Sequence, residues 1–537
     1  MSINRAPFRA LKTAAARHWF KTLPGRITAL RGWRAQLLAL GAGAVYAAGQ
    51  APFHLWPLSM LSLTLFVWLL DGAHNGPHPL RSGFWRAFSF GFGQFAAGLY
   101  WIGSAFVSRG PDYVPLMPFA LALLLAGLAL IWALAGALAM RLWTRDIRRI
   151  AVFALCIFAA EWVRGHFLSG FPWNLPGMVW PPGAPVSQAA AVVGVWGLSL
   201  LTLYAFAAPA ALADAGPGWR KAVPALLALS VFAGLYAGGQ WRLGHARTGV
   251  QPGVRLRVVQ AAIDQREKWK PENRQAVLDH YLRLSTAAPL SRVSHVIWPE
   301  GALPTLLLED NQALLRIASV FRDGPVLITG LARRERGEGG RILYRNSLVA
   351  LSFAGGQPKI ETVYDKHHLV PFGEYMPLGG LFAKIGLKGL INFDDGFAPG
   401  PAPTSIKIDK LPVFSPQICY EIAYSGFTPE GRGRPAWILN ISNDAWFGAT
   451  TGPWQHLDQA RYRAIEEGLP VVRSVSSGIA GVIGPYGRMR LRLGRTADQA
   501  ADASLPMPLP TTINTRHGGL LLLVLAGILL AMARLKV

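Results

Sequence analysis

The chain has 537 residues, of which 52% are hydrophobic and only 15% are charged. Soluble domains carry ~25% charged residues, so this composition excludes an ordinary soluble protein as well as a disordered or coiled-coil chain. The 53 basic and 29 acidic residues leave a formal net charge of +24, which is compatible with either nucleic acid or a membrane surface as a partner.

The first half of the chain contains apolar windows long enough to cross a bilayer, for which about 20 mostly apolar residues are needed. Residues 1–34 contain no acid and predict a basic cytoplasmic segment. A membrane domain of seven transmembrane helices is predicted over residues 35–241, and one further helix with a cytoplasmic tail over 516–537. The windows are 35–51, 55–70, 85–107, 114–140, 150–164, 187–213, 222–241 and 518–533.

The positions of the basic residues predict which side of the membrane each link occupies. Lys and Arg accumulate in short cytoplasmic loops, and here they cluster in the second, fourth and sixth links between the predicted helices. We therefore expect a cytoplasmic N-terminus and an extracytoplasmic domain over residues 242–515. A cleaved signal peptide within residues 1–51 is the alternative, but the apolar pattern continues beyond it. Nucleic acid is not an expected partner, because the extracytoplasmic part lacks a basic patch with interleaved aromatic residues.

The block 242–515 alternates between strand-like and helical stretches, which is typical of an α/β domain. At ~270 residues it is long enough for one sizeable core. A solvated hairpin tip is predicted over 333–340. The strand-like runs are 255–263, 294–299, 325–332, 343–351, 411–418 and 437–441, and the helical stretches lie near 271–287, 309–322 and 453–468.

Cys419 is the only cysteine in this predicted domain, because Cys156 falls inside a transmembrane window, so a disulfide-stapled fold is excluded. A thiol of pKa ~8.5 needs a base and a positive neighbour to act as a nucleophile. Glu300 ends the strand-like segment 296–300, and Lys366 follows another extended run. Taken singly, these residues are a buried structural cysteine and two surface charges. Taken together in the order Glu, Lys, Cys, they form a specific constellation.

This constellation resembles the triad of the nitrilase superfamily. The segments 364–374 (YDKHHLVPFGE), 419–421 (CYE), 441–448 (ISNDAWFG) and 452–456 (GPWQH) are similar to the apolipoprotein N-acyltransferase family, as are 161–165 and 170–174 in the membrane part. The resemblance covers essentially the whole chain. It implies a polytopic α-helical membrane domain joined to an α/β nitrilase-like, or CN hydrolase, domain built as an α-β-β-α sandwich.

The resemblance also implies an activity. A phospholipid, phosphatidylethanolamine in this family, would donate an acyl chain through a thioester, in a ping-pong reaction, to the α-amino group of the diacylglyceryl-cysteine of an apolipoprotein. Cys419 would be the nucleophile and Glu300 the proton acceptor. Lys366, with a main-chain N–H near Tyr420, would stabilise the oxyanion. The expected location is the bacterial inner membrane, as a monomer, with the catalytic domain in the periplasm.

Further residues are implied as supports of the site. Glu374 would orient the lysine and the substrate, although a loop carboxylate is the alternative, and Glu421 would support the site near Cys419. The family uses further positions around the pocket or acyl chain, namely Trp269, Asn346, Tyr420, Phe447 and Glu466. For Trp269 and Phe447, ordinary aromatic packing is equally expected.

No metal or cofactor is expected. His367 and His368 are adjacent, so in a strand they point to opposite faces and cannot easily share one ion. Within the membrane part, Glu161 and Arg164 are spaced to pair on one helix face, either as an interfacial salt bridge or as a headgroup site. The apolar segment 379–391, with its two lysines, predicts an arm that dips into the outer leaflet.

Two other functions remain open. A membrane-tethered amidase of the nitrilase type would share the triad and release its acyl group to water. A transporter with an external binding domain is disfavoured, because the predicted helices hold few ionisable residues and no obvious inverted repeat.

Overall fold

The computed structural model describes residues 23–215, 217–247, 249–377, 396–429, 433–495 and 498–535. The predicted arm over 379–391 and the first 22 residues of the predicted basic segment lie outside the described residues.

Long helices occupy the predicted membrane windows. Each of the eight windows is overlapped by one long helix in the described part of the chain. Their bounds are α1 Gly32–Tyr46, α2 Trp56–His74, α3 Pro79–Leu99, α4 Met117–Leu142, α5 Arg149–His166, α6 Ala190–Ala207, α7 Gly218–Gly244 and, at the C-terminal end, α11 Ile513–Arg534.

The protein is a membrane protein with several apolar helices. Five helical stretches of the described residues are long and apolar enough to cross a bilayer, namely Trp56–His74, Pro111–Leu142, Val186–Ala213, Gly218–Gly244 and Ile513–Arg534. Among the others, α1 has only 15 residues, and α5 carries Arg149, Glu161 and Arg164. The total of eight transmembrane helices therefore stays a prediction.

Close helix packing explains how α1 and α3 join the bundle despite their weaker apolar signal. A Cβ added at Gly43 of α1 would lie 1.9 Å from the carbonyl oxygen of Phe90, and one added at Gly93 of α3 would lie 2.0 Å from that of Leu40. Only glycine permits such a backbone approach, which is typical of helix interfaces in membranes.

The remaining residues form two β-sheets. In the described part of the chain, the first sheet has six strands in the order β11-β1-β2-β3-β4-β5 and the second has five in the order β10-β9-β8-β7-β6. The strands are β1 Val250–Gln260, β2 His295–Ile297, β3 Val326–Arg336, β4 Ile342–Ser352, β5 Lys359–Asp365, β6 Phe414–Ile418, β7 Trp437–Asn443, β8 Val471–Ser476, β9 Gly481–Ile483, β10 Met489–Arg492 and β11 Gln499–Pro506.

Alternating side chains pack these sheets face to face with helices outside. Leu256 and Val258 of β1 lie in the core between the sheets with Leu439 of β7, whereas Val259 faces the outer helices. Those helices are α8 Arg274–Ser285 and α9 Asn311–Phe321 on the first sheet, and α10 Gly452–Glu467 on the second. This arrangement confirms the predicted α-β-β-α sandwich.

The predicted strands and helices of this domain are largely confirmed. All six strand-like runs overlap observed strands, and the three helical stretches correspond to α8, α9 and α10. The hairpin between β3 and β4 also lies where the sequence predicts it, although its strands extend further, to Arg336 and from Ile342.

Candidate active site

The three residues of the predicted triad each follow the carboxyl end of a strand. Glu300 comes shortly after β2, Lys366 directly after β5 and Cys419 directly after β6. Strands β2 and β3 are parallel, and β5 returns to the same direction after two antiparallel pairings, so Glu300 and Lys366 leave the first sheet at the same edge. The main-chain N–H of Asn443, at the end of β7, donates to Glu300 Oε2 at 2.9 Å, which joins the two sheets at this edge.

Lys366 is buried between two carboxylates. Its Nζ lies 2.9 Å from Glu374 Oε1 and 3.5 Å from Glu300 Oε1, and its side chain is 1% exposed. Burial lowers the pKa of Lys366, but the charges of Glu374 and Glu300 outweigh burial and raise the pKa above its ordinary value. The side chain therefore provides a fixed positive charge inside the site.

Asn346 connects the same two carboxylates. Its Nδ2 donates to Glu300 Oε1 at 2.7 Å and to Glu374 Oε1 at 2.8 Å. Glu374 is held further by the main-chain N–H of Val370, at 2.9 Å from Oε2. The predicted supports Asn346 and Glu374 thus both lie in contact with the triad.

Cys419 occupies a strained turn at the start of the 3₁₀ helix Cys419–Ala423. Its φ of 51° lies in the left-handed region, which costs of the order of 1–3 kcal/mol for a residue with a side chain. Burial raises the pKa of the Cys419 thiol, the Glu300 carboxylate raises it further, and Lys366 lowers it, with a net increase. The resting thiol is therefore protonated and needs a base to react.

Glu421 ties the chain around Cys419 to the chain around Lys366. Its fully buried carboxylate accepts from the main-chain N–H groups of Ile418 at 2.7 Å, His367 at 2.8 Å and His368 at 3.0 Å. The hydroxyl of Tyr364 donates to it as well, at 3.1 Å. Burial raises the pKa of Glu421 to about 7, although the main-chain donors oppose that increase. Glu421 therefore holds the two loops in position relative to each other.

Tyr420 and Phe447 face the membrane domain. The Tyr420 hydroxyl donates to the carbonyl of Gly170 at 3.0 Å. Phe447 packs edge-on against Trp101, with ring centroids 4.6 Å apart, and against Trp173 at 6.0 Å. Phe447 therefore takes part in aromatic packing, and the same aromatic cluster joins the catalytic domain to the loops between the membrane helices.

The described hydrogen bonds and ion pairs of Glu466 are made with residues outside the triad, and Trp269 is largely exposed. Trp269 is 54% exposed and follows the short helix Gln265–Lys268. Glu466 is fully buried on α10, where its carboxylate accepts from the N–H of Val195 at 2.6 Å and lies 2.6 Å from Arg463 Nη1. Within the described residues, neither side chain has a hydrogen bond or ion pair with the triad.

The contacts of Glu466 support α6 at a break. Gly194 has a φ of 66° inside α6, so the helix resumes at Val195 with an N–H that has no partner in its own helix. The Glu466 carboxylate accepts from this N–H and caps the second half of α6.

Comparison with known proteins covers most of the chain. Residues 42–208 match the family described as apolipoprotein N-acyltransferase N-terminal domain, and residues 255–510 match carbon-nitrogen hydrolase. An apolipoprotein N-acyltransferase of Rhodopseudomonas palustris is 40% identical over 94% of this chain and 96% of its own. The protein of the same name from Caulobacter vibrioides is 38% identical over the same shares of both chains. The chain belongs to the apolipoprotein N-acyltransferase family.

The sequence of this member of the apolipoprotein N-acyltransferase family did not indicate Lys268. Its side chain is 2% exposed and its Nζ donates to the carbonyl of Gly301, next to Glu300. Burial lowers the pKa of Lys268 to about 8, while the Glu300 charge acts in the opposite direction. The available signal was its place directly before Trp269, but a lysine in a polar stretch is ordinarily read as a surface residue.

Sequence reasoning also missed a buried group formed by Asp444, His456 and Arg473, which contacts the main chain of Cys419. Asp444 Oδ1 lies 2.9 Å from His456 Nδ1, Arg473 Nη2 donates to Asp444 Oδ2 at 2.8 Å, and His456 Nε2 lies 3.2 Å from the carbonyl oxygen of Cys419. Burial raises the pKa of Asp444, but Arg473 and His456 together bring it down to about 2. The aspartate and histidine lie in segments that carry the family resemblance, whereas the arginine lies in neither.

The ionisable pair noted in the membrane part lies inside the helix bundle. Glu161 and Arg164 form a fully buried ion pair, and the Trp132 Nε1 donates to Glu161 at 2.7 Å. The salt-bridge alternative is therefore the one observed, inside the bundle rather than at its surface. In the part of the chain that the structure describes, no group of three or more His, Cys, Asp or Glu side chains is arranged to hold a metal ion.

Proposed function

We propose that the protein transfers an acyl chain from a membrane phospholipid to the α-amino group of the N-terminal diacylglyceryl-cysteine of an apolipoprotein. Membership in the family supports this activity. The observation that carries it is the strained Cys419 beside the buried Glu300–Lys366 pair, on a face bonded to the membrane domain through Tyr420 and Gly170. Phosphatidylethanolamine is the expected donor, and the proposed working form is a monomer.

In the first half-reaction Glu300 takes the proton of the Cys419 thiol as the sulfur attacks the ester carbonyl of the phospholipid. The carbonyl oxygen becomes an oxyanion beside the Lys366 ammonium and a main-chain N–H near Tyr420. Each such donor contributes roughly 10²–10³ in rate in other enzymes. When the C–O bond breaks, Glu300 returns the proton to the departing lysophospholipid alkoxide, and the acyl chain remains on sulfur as a thioester.

In the second half-reaction the α-amino group of the apolipoprotein attacks the thioester. Glu300 removes a proton from the nitrogen, the C–S bond breaks to leave the amide, and the Cys419 thiolate recovers the proton. A thioester suits this step because amines attack it more readily than an oxygen ester. The one carboxylate therefore serves as base and acid in both halves.

The position of the site against the membrane domain favours transfer of the acyl chain from a phospholipid to a lipid-modified protein over its release to water. Trp101, Trp173 and Phe447 form an apolar wall next to Cys419 and Tyr420. A membrane-tethered amidase is the second candidate, because it would use the same three residues.

The distribution of basic residues supports a periplasmic position for the catalytic domain, in a bacterial inner membrane.

The two candidates are distinguished by their products. Purified protein in detergent is incubated with a phospholipid labelled in one acyl chain and with a synthetic lipopeptide bearing a diacylglyceryl-cysteine. The proposal predicts label in an amide of the lipopeptide, at a rate that depends on the lipopeptide. Labelled free fatty acid as the main product, formed at the same rate without lipopeptide, would instead identify a hydrolase.

A further inference from the structure

A cavity of about 390 Å³ lies where the membrane helices meet the catalytic domain, apart from the triad. Its walls come from the end of α5, the break in α6, the loop after the Cys419–Ala423 helix, the end of α10 and the first turns of α11. None of the described residues that line it belongs to the triad or contacts Lys366. The volume falls within the ~300–1,000 Å³ range of small-molecule sites.

One wall of this cavity carries a buried carboxylate with an incomplete set of partners. Glu467 is 5% exposed, and among the described residues only the Thr515 hydroxyl donates to its carboxylate, at 3.1 Å. A carboxylate has about four acceptor positions. The nearby guanidinium groups are engaged elsewhere: Arg463 lies 2.6 Å from Glu466 Oε2, and Arg434 donates to the main-chain carbonyl of Glu467 at 2.8 Å.

The environment of Glu467 favours a cationic ligand. Burial and the neighbouring Glu466 raise the pKa of Glu467, whereas Arg463, the Thr515 hydroxyl and Arg434 lower it, and the net result is a pKa of about 7. A positive group bound in the cavity would offset the cost of burying this charge. Asn514 also lines the cavity, and its side-chain oxygen is a further acceptor for N–H donors.

The cavity lies at the depth of lipid headgroups. The 22 residues of α11 span about 33 Å, close to the ~30 Å of a bilayer core, so its first turn with Asn514 and Thr515 lies near one membrane surface. Trp162, at the end of α5, is 47% exposed and stacks on His166 with ring centroids 4.5 Å apart. Half-exposed tryptophans at helix ends are typical of the interfacial aromatic belt.

Apolar residues and glycines of the membrane helices also line the cavity. Val193, Trp196 and Leu522 line it, and Gly518 and Gly519 leave α11 without side chains there. A Cβ added at Gly519 would have no atom within 4 Å. The space is therefore suited to the upper part of an acyl chain below a polar headgroup.

We propose that this cavity is a second lipid site, separate from the reacting centre, which binds a phospholipid with a primary ammonium headgroup. The ammonium group donates to Glu467 and to Asn514, and the acyl chains lie along α6 and α11. A primary ammonium fits better than choline, because only the former has N–H donors for these acceptors. The proposal does not depend on acyl transfer by Cys419.

The test is photolabelling of the full-length Cys419→Ala protein in phosphatidylcholine nanodiscs. The probe is phosphatidylethanolamine with a diazirine high in one acyl chain, and labelled peptides are mapped by mass spectrometry. We expect label on the end of α5 and the start of α11, competed by unlabelled phosphatidylethanolamine but not by added phosphatidylglycerol. Glu467→Gln should reduce this label about tenfold or more, as expected for the loss of a buried charge partner.

Two glycine variants separate occupancy of the cavity from general effects on the protein. Gly519→Leu fills the cavity without a clash and should abolish the label. Gly527→Leu is the matched control, because it lies on the same helix, also has open space around an added Cβ, and does not line the cavity. Equal labelling of these peptides by a phosphatidylcholine probe, or labelling that survives both Glu467→Gln and Gly519→Leu, would overturn the proposal, as would labelling only by a lipopeptide probe.

Discussion

The hydroxyl of Tyr420, the residue that follows Cys419, donates to the main-chain carbonyl of Gly170 in the membrane domain at 3.0 Å. Tyr424 donates to the same carbonyl at 3.0 Å and to that of Ser169 at 2.9 Å. The turn that presents the thiol is thus bonded directly to a loop between two membrane helices. This relationship holds the turn with Cys419 against the membrane domain.

The paired tyrosines predict unequal effects of single and double substitution. Tyr420→Phe should slow acylation of Cys419 only a few fold. It removes one hydrogen bond, at a net cost of ~1 kcal/mol, while Tyr424 still donates to the Gly170 carbonyl. Tyr420→Phe with Tyr424→Phe leaves the buried carbonyl without a described donor and should cost more than the sum of the single changes. A double-mutant cycle on the acylation rate measures this coupling. Strictly additive effects would show that the Gly170 contact does not position the turn.

Glu374→Gln should impair catalysis more than folding. The change removes one of the two carboxylate charges that raise the pKa of Lys366 and removes part of the ion pairing of its ammonium group. We expect acylation of Cys419 to fall by roughly 10²–10³, the usual effect of losing one oxyanion donor. Glu309→Gln is the control, since that carboxylate is 41% exposed and pairs with Arg334, which is not part of the triad. Equal acylation rates in the Glu374 variant and the control would remove Glu374 from the site.

The depressed pKa of Lys268 predicts a dependence of stability on pH. Between about 8, its pKa in the folded protein, and 10.5, its ordinary value, the unfolded chain binds more protons at this residue than the folded protein does. Stability from this group therefore rises with pH across that interval, by up to the order of 3 kcal/mol. Lys268→Met removes the titration. The unfolding free energy of the unsubstituted protein minus that of the variant should increase from pH 8 to 10, and a constant difference would contradict the assignment.

Substitutions at Glu466 test whether this residue stabilises the fold or acts in the substrate pocket. Glu466→Ala leaves the buried Arg463 and the Val195 N–H without their partner, and should destabilise the fold by about 3–5 kcal/mol. Glu466→Gln keeps an acceptor for Val195 and should cost less. Thermal unfolding in detergent measures both. If Glu466→Ala unfolds at the normal temperature but no longer acylates Cys419, the residue acts in the substrate pocket, as the family resemblance implies.

The local hydrophobic pattern of the sequence predicted many of the helices and strands. Contacts between segments distant in sequence determine features that this pattern does not show. Strands β3 and β4 were predictable from their apolar alternation, but β8 was not, because Arg473 interrupts it and is compensated by Asp444 and Asn440, which are distant in sequence. Strand β9 has three residues, too few for a pattern. The Tyr420–Gly170 bond and the capping of α6 by Glu466 link residues hundreds of positions apart. Motif resemblance indicated the triad, but Lys268 became visible only through its burial.

Mass spectrometry of the enzyme after reaction with one defined phospholipid tests directly whether Cys419 carries the acyl chain. Without an acceptor, we expect the Cys419 peptide to gain the mass of one acyl chain, to lose it to hydroxylamine or to a lipopeptide amine, and to remain unmodified in Cys419→Ala. Glu300→Gln should acquire the adduct far more slowly. An unmodified Cys419 peptide in protein that still N-acylates the lipopeptide, or persistent activity in Cys419→Ala, would contradict the proposed mechanism.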